Sequence, residues 1–145
     1  MRTVTVLRGI SGAGKSTYTK ANHPNATVCS ADKYFIGQDG VYRFDGSKLG
    51  RAHDWCKAQF LNALQVSDDD IVVDNTNTTM RELKYYVDTA TEYGYELNVV
   101  RLVVDPKIAA ARNLHGVPAV KVQQMQDRFQ DFPGETIVDT TPVSN

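Results

Sequence analysis

The chain has 145 residues, of which 41% are hydrophobic and 23% are charged, and its formal net charge is −1. This length suits one folded domain, which can bury about 70% of the surface of the unfolded chain. A near-neutral charge argues against a protein that grips long nucleic acid through many phosphates, so any polynucleotide partner is expected to be short or held locally.

Apolar and β-branched runs alternate along the chain with helical patterns, which is typical of an α/β fold with a parallel sheet. Thr79 and Glu82 have the spacing of a capping box and predict the start of one helix. The stretch 32–46 is predicted to be a long functional loop, and the tail from Pro133 is too short to form a domain. In chain order we predict strand 3–7, helix 15–21, strand 26–30, helix 47–66, strand 71–74, helix 79–93, strand 97–104, helix 106–113 and a final helix from about 118 to 129.

Composition also limits the compartment and the kind of site. Cys29 and Cys56 form neither a disulfide framework nor a zinc-ligand spacing. The apolar run at residues 4–7 is too short for a signal peptide, and no run reaches the length of a membrane span. We therefore expect free thiols and a cytoplasmic protein without a membrane partner.

A phosphate-binding motif lies between the first predicted strand and the first predicted helix. Residues 9–16 read G-I-S-G-A-G-K-S and fit the P-loop pattern G-x-x-x-x-G-K-S. Lys15 is expected to neutralise the β- and γ-phosphates of ATP, and the Ser16 hydroxyl to bind Mg²⁺. The predicted ATP-binding residues of this segment are Gly9, Ser11, Gly12, Ala13, Gly14, Lys15, Ser16 and Thr17.

The remaining motifs favour a small kinase among the P-loop proteins. No N-K-x-D guanine motif is present, and the chain is too short for the lid domain of a ring ATPase. Asp32 follows the second strand, where a carboxylate can orient or deprotonate an acceptor hydroxyl. Asp74 ends the third strand, a usual place for a carboxylate that holds Mg²⁺ or its waters. Both aspartates could instead be turn or capping residues.

Further candidates lie in the predicted lid and the long loop. Arg112 begins a lid at about residues 112–118 and could stabilise charge on the transferred phosphoryl group, or it could be a solvated residue at a helix end. His115 is a second lid candidate, or a capping residue. Asn77 could hydrogen-bond the substrate. In the loop, aromatic residues alternate with cations and could stack a base and hold a phosphate, or simply close the loop over the core; these residues are Lys33, Tyr34, Phe35, Tyr42, Arg43 and Phe44.

The chain resembles the kinase domain of phage polynucleotide 5′-hydroxyl kinases and the small P-loop, AAA-like ATP-binding proteins related to it. The resemblance covers nearly the whole chain, through residues 9–16, 30–34, 74–77, 92–94 and 111–113. It implies that Lys15 and Ser16 are the phosphate lysine and metal serine, Asp32 the catalytic base, and Arg112 a lid arginine. Three positions depart from that pattern: Phe35 stands where the kinases carry an arginine, Asn75 where they carry an aspartate, and His115 near a second arginine.

Motifs and resemblance together predict a single P-loop kinase domain over residues 1–145 that uses ATP and Mg²⁺. Lys15, Asp32 and Arg112 are the predicted catalytic residues. Asp32, Tyr34, Arg43 and Asn77 are predicted to bind the acceptor, and Ser16 and Asp74 to bind the metal. The expected acceptor is a hydroxyl of a nucleic acid or nucleotide. Alternatives are a small metabolite, a hydroxymethylated base in DNA, or no acceptor at all in an ATP-dependent switch protein.

Overall fold

Five strands and five α-helices make up the part of the chain that the computed structural model describes, residues 2–112 and 116–142. The strands are β1 (Thr3–Arg8), β2 (Thr27–Cys29), β3 (Ile71–Asp74), β4 (Glu96–Val103) and β5 (Thr136–Asp139). The helices are α1 (Lys15–Asn22), α2 (Leu49–Val66), α3 (Met80–Glu92), α4 (Pro106–Arg112) and α5 (Ala119–Asp127). Two short 3-10 helices, Ala31–Phe35 and Gly46–Lys48, flank the loop before α2.

The strands form one parallel sheet in the order β2-β3-β1-β4-β5. Central β1 pairs Val4 with Ile71 of β3 on one side and with Leu97 of β4 on the other. Residues 4–8 of β1 are all buried, because a central parallel strand is covered by helices on both faces. The predicted α/β fold with a parallel sheet is therefore confirmed.

The core has two layers, one on each face of the sheet. One cluster joins β1 and β3 to α2 and α3, and the other joins the sheet to the P-loop, α4 and α5. The capping box at the start of α3 is confirmed, because Thr79 and Glu82 each bond the other's backbone. Both cysteines are free and buried, and burial raises the pKa of Cys29 to about 12, so this thiol stays protonated at neutral pH.

The tail after α5 contains a strand that the sequence analysis did not predict. β5 pairs in parallel with β4, from Val100 opposite Thr136 to Val103 opposite Asp139. Three of its four residues are exposed and the fourth is only half-buried, so the segment lacks the apolar pattern by which a strand is recognised. Backbone pairing with β4 supplies the order that side-chain burial does not.

The predicted long loop at 32–46 is also more structured than expected. A 3-10 helix follows β2 directly, and an antiparallel bridge between Ile36 and Tyr42 closes a short hairpin. We refer to residues 36–44 as the hairpin. After it, the Asp45 side chain caps the second 3-10 helix by accepting hydrogen bonds from Ser47.

A fully buried cation, Arg8, sits at the end of β1. It forms an ion pair with Glu135 at 2.8 Å, and both side chains are almost fully buried. The same guanidinium donates to the backbone carbonyls of Asn77, Thr78 and Gln130. One side chain thus joins β1, the loop after β3 and the segment between α5 and β5.

The predicted lid falls partly outside the described residues. Arg112 is the last residue of α4, and Pro118 is the N-cap of α5. His115 and its neighbours 113 and 114 lie outside the described range. Among the described helices, none has the length and apolar character needed to cross a membrane.

Candidate active site

The P-loop connects the carboxyl end of β1 to the first turn of α1. Gly12 and Gly14 have φ of 87° and 92°, in the left-handed region that side chains other than glycine disfavour. A Cβ on Gly12 would lie 2.0 Å from the backbone oxygen of Ala109, so α4 packs directly on the loop. The Ser11 hydroxyl contacts the Met125 sulfur at 3.7 Å, which brings α5 against the same loop. The loop's shape therefore depends on glycine at these positions.

The Lys15 amine forms hydrogen bonds with the backbone at the start of the P-loop. It donates to the carbonyl oxygens of Gly9 at 2.8 Å and Ile10 at 3.2 Å. Burial lowers the pKa of Lys15, while the negative charges of Asp74 and Asp32 act in the opposite direction. The lysine cation thus shares one electrostatic neighbourhood with both predicted active-site carboxylates.

The two predicted metal ligands come together from neighbouring elements. The Ser16 hydroxyl, in the first turn of α1, lies 3.4 Å from Oδ2 of Asp74 at the end of β3. Burial raises the pKa of Asp74, although the Lys15 charge opposes the shift. A hydroxyl and a carboxylate are oxygen donors of the kind that Mg²⁺ prefers, so these residues fit a magnesium ion.

Asp32 is exposed on the 3-10 helix that follows β2, at the same edge of the sheet. The Tyr42 hydroxyl, brought from the hairpin, forms a hydrogen bond with the Asp32 carboxylate. Burial and the Asp32 charge raise the pKa of Tyr42 to about 12, so the phenol keeps its proton and acts as the donor. The hairpin is therefore anchored to the candidate base.

Arg112 reaches the site through Thr140, a residue that the sequence analysis missed. Its guanidinium donates to the Thr140 carbonyl at 3.0 Å, and the Thr140 hydroxyl donates to the Ala13 carbonyl in the P-loop at 2.7 Å. The tail after β5 thus connects α4 with the phosphate loop. A lone threonine in a polar tail carries no motif, so sequence spacing offered no signal for it.

Other predicted binding residues have different surroundings. Asn77 is buried with φ of 47°, and its amide donates to the Leu7 carbonyl, so it holds the loop after β3 instead of facing a substrate. The Tyr34 ring packs edge-on against Phe35 and joins the core, which is the second of the two predicted roles for the loop aromatics. Arg43 is exposed and paired with Asp39 at 2.7 Å. Thr17 is exposed in the first turn of α1.

Comparisons with known proteins agree with this architecture. The chain is 32% identical over 145 residues to human NEDD4-binding protein 2, covering 95% of the chain but 8% of that protein. It is 26% identical to the uncharacterized protein PM0531 of Pasteurella multocida (strain Pm70), covering 99% of the chain and 85% of the relative.

Two solved structures share the fold at low identity. The Pnkp1/Rnl/Hen1 RNA repair complex contains a chain that superposes with a TM-score of 0.70 at 19% identity, covering 88% of this chain and 43% of that one. The Mycobacterium tuberculosis APS kinase CysC, in complex with AMPPNP and APS, superposes with a TM-score of 0.63 at 13% identity, covering 99% and 90%. The chain therefore has a P-loop kinase-like fold.

A family model described as an AAA domain matches residues 4–132, nearly the whole of the chain. The P-loop at 9–16, Asp32, Asp74 and Arg112 all lie inside that match. The chain belongs to this AAA domain family.

Proposed function

We propose that the protein is an ATP-dependent phosphotransferase that moves the γ-phosphate of ATP to a hydroxyl of a nucleic acid or nucleotide. The observation that carries the proposal is the meeting of Lys15, Asp74 and Asp32 at one edge of the sheet. Each of the two carboxylates acts electrostatically on the Lys15 amine, although they come from different elements. A phosphate loop alone would need no second carboxylate outside the metal position.

The proposed chemistry divides the work among five side chains. Lys15 binds the β- and γ-phosphates, and Arg112 offsets charge on the transferred phosphoryl group. Asp32 accepts the proton of the acceptor hydroxyl. At the same time, the oxygen of that hydroxyl bonds to the γ-phosphorus, and the bond between the γ-phosphorus and the ADP oxygen breaks. Ser16 and Asp74 would hold Mg²⁺, which when bound supplies positive charge to the phosphates.

The acceptor class rests on two supports. The RNA repair complex contains a chain of the same fold, and the hairpin beside Asp32 exposes aromatic and cationic side chains. Other proteins of the same fold include an APS kinase and a gluconokinase from Sinorhizobium meliloti 1021, so small acceptors are the direct competitors. Because the fold is common to both classes, the proposal of a nucleic-acid acceptor depends mainly on the surface beside Asp32.

A transfer assay with γ-labelled ATP and Mg²⁺ tests the proposal. The acceptor panel contains a single-stranded oligonucleotide with a 5′-hydroxyl, the same oligonucleotide with a 5′-phosphate, a nucleoside, DNA with hydroxymethylated bases, and small sugars. We expect label on the 5′-hydroxyl oligonucleotide and none on its 5′-phosphorylated counterpart. Label on a small sugar alone would contradict the acceptor class, and ATP binding with no labelled acceptor would indicate a nucleotide-dependent switch instead of a kinase.

A further inference from the structure

Exposed apolar side chains are concentrated in and just after the hairpin. Of the nine large hydrophobic side chains that are exposed in the described residues, four fall within residues 36–49. These are Ile36, Val41, Phe44 and Leu49, exposed by 46%, 47%, 57% and 41%. An exposed apolar cluster next to a candidate catalytic residue points to a binding surface more than scattered single residues do.

The Phe44 ring is held in place from beneath. It packs on buried Phe35 with 5.1 Å between ring centroids, and Tyr42 packs on the same ring at 6.2 Å. Tyr42 in turn bonds Asp32, so the surface and the candidate base are joined through one residue. Phe44 therefore offers an exposed aromatic face whose position is fixed relative to Asp32.

The charges around the hairpin favour a phosphate-bearing ligand. Asp39 is already paired with Arg43, and Asp45 caps the 3-10 helix that follows. Lys48 and Arg51 are exposed, and neither makes an ion pair with another described residue. Two exposed cations thus follow the hairpin in the chain, and hydrogen bonds together with the Lys48 charge lower the pKa of Asp45.

We propose that the exposed Phe44 ring is a stacking platform for an unpaired nucleobase of the acceptor, next to the nucleotide whose hydroxyl meets Asp32. The inference rests on the proposed function and assigns its acceptor to single-stranded nucleic acid. Every base has a flat π face that stacks on an aromatic ring without sequence preference. Lys48 and Arg51 then serve the neighbouring phosphates, which is a local grip that suits the chain's net charge of −1.

Binding of a fluorescent single-stranded oligonucleotide with a 5′-hydroxyl, measured by anisotropy, tests the platform. Phe44→Ala is expected to raise the Kd for the oligonucleotide by about 5- to 100-fold, because stacking contributes roughly that much per base. Phe44→Trp should keep the wild-type Kd, since the indole offers the same flat face. Ile137→Ala removes an equally exposed apolar side chain from β5 and serves as the matched control, with no expected change. The Kd for ATP should be the same in all four proteins.

An oligonucleotide that lacks its terminal bases makes the test specific. Wild type should bind this abasic strand as weakly as Phe44→Ala binds the complete strand. The Kd of Phe44→Ala should be nearly the same for the two strands. Equal binding of the complete strand by wild type and Phe44→Ala would overturn the platform. If wild type still phosphorylates the strand in that case, the proposed function survives without the platform.

Two further outcomes would overturn the inference. A wild-type dimer that Phe44→Ala converts to a monomer, measured by sedimentation equilibrium, would make the surface a contact between two copies of the chain. Phosphorylation of small sugars with no binding of any oligonucleotide would remove the platform together with the nucleic-acid acceptor.

Discussion

In the proposed kinase, the two sides of the site are built differently. On the nucleotide side, the P-loop is held by backbone packing against α4 at Gly12 and by the bond from the Thr140 hydroxyl to the Ala13 carbonyl. On the acceptor side, the hairpin exposes Phe44 and pairs Arg43 with Asp39 at the surface. Substitutions on the nucleotide side are therefore expected to disturb the P-loop backbone. Substitutions of the exposed hairpin residues can change the surface without changing the fold.

Removing the candidate base should give the largest effect and separate the two sides most clearly. Asp32→Asn keeps the size of the side chain but cannot accept the hydroxyl proton, so turnover is expected to fall by about 10²–10⁴. The Kd for ATP, measured by calorimetry, should stay unchanged because the P-loop is intact. Full turnover in this variant would exclude Asp32 from the mechanism.

Breaking the buried ion pair behind the P-loop should chiefly affect stability. Glu135→Gln removes the carboxylate that pairs with the buried Arg8 cation, and the free energy of unfolding in urea is expected to fall by about 3–5 kcal/mol. The control is Asp88→Asn, which breaks an exposed, solvent-screened pair with Lys84 and should change the free energy of unfolding far less. Similar losses in the two variants would show that burial does not strengthen the first pair.

The tail contact tests whether the nucleotide side depends on β5. Thr140→Val removes the hydroxyl that bonds the Ala13 carbonyl, and the Kd for ATP is expected to rise by about 2- to 10-fold as the loop loses one restraint. Thr136→Val, at an exposed position at the start of β5, is the matched control and should not change ATP binding. An unchanged Kd in Thr140→Val would limit this contact to the fold.

The link between the hairpin and the candidate base can be tested without disturbing either ring packing. Tyr42→Phe keeps the contact with Phe35 but removes the hydrogen bond to Asp32. We expect kcat to fall by about 2- to 10-fold while the KM for ATP stays constant. A change in the KM for ATP alone would contradict a positioning role on the acceptor side.

The smallest expected effect is on stability, and it comes from burying the Asp74 carboxylate beside the P-loop. Burial raises the pKa of Asp74, so its ionised form is less favourable in the folded than in the unfolded protein. The protonated side chain therefore stabilises the folded state at low pH, and this contribution is lost as the pH rises through the pKa of the folded protein. Asp74→Asn should therefore raise the Tm of the nucleotide-free protein at neutral pH by a few degrees. The difference should vanish as the pH falls below the ordinary pKa of an aspartate, because the carboxyl group is then protonated in both the folded and the unfolded protein.

Binding measurements complete that comparison. The same Asp74→Asn variant should bind ATP more weakly in the presence of Mg²⁺, because a carboxylate that would hold the metal has been removed. A lower Tm at neutral pH would mean that attraction to Lys15 outweighs the cost of burial.

The sequence predicted those parts of the site that depend on local spacing or on strand ends. The P-loop is a continuous motif, and Asp32 and Asp74 follow parallel strands whose carboxyl ends meet at one edge. Sequence could not reveal Thr140, because its partner Ala13 is 127 positions away. Asn77 was assigned to the substrate because a polar residue after a strand has the same pattern whether it faces a ligand or bonds a buried carbonyl.

The fold follows the same division. The four strands with apolar or β-branched runs were predicted within a few residues, and exposed β5 was not. The hairpin was predicted as a loop because a single bridge between Ile36 and Tyr42 leaves no repeating pattern. The aromatic residues of the predicted loop at 32–46 are expected either to bind or to pack; Tyr34 and Phe35 pack, and Phe44 remains exposed.

The Arg8–Glu135 pair also determines how short a stable fragment of this fold can be. The family match ends at residue 132, three positions before Glu135. A fragment that ends at residue 132 would keep the whole phosphate loop. It would lose Glu135, the partner of buried Arg8, and the edge strand β5. A stable folded unit taken from a relative should therefore extend through the equivalent of residue 140, even though the recognisable motifs end earlier.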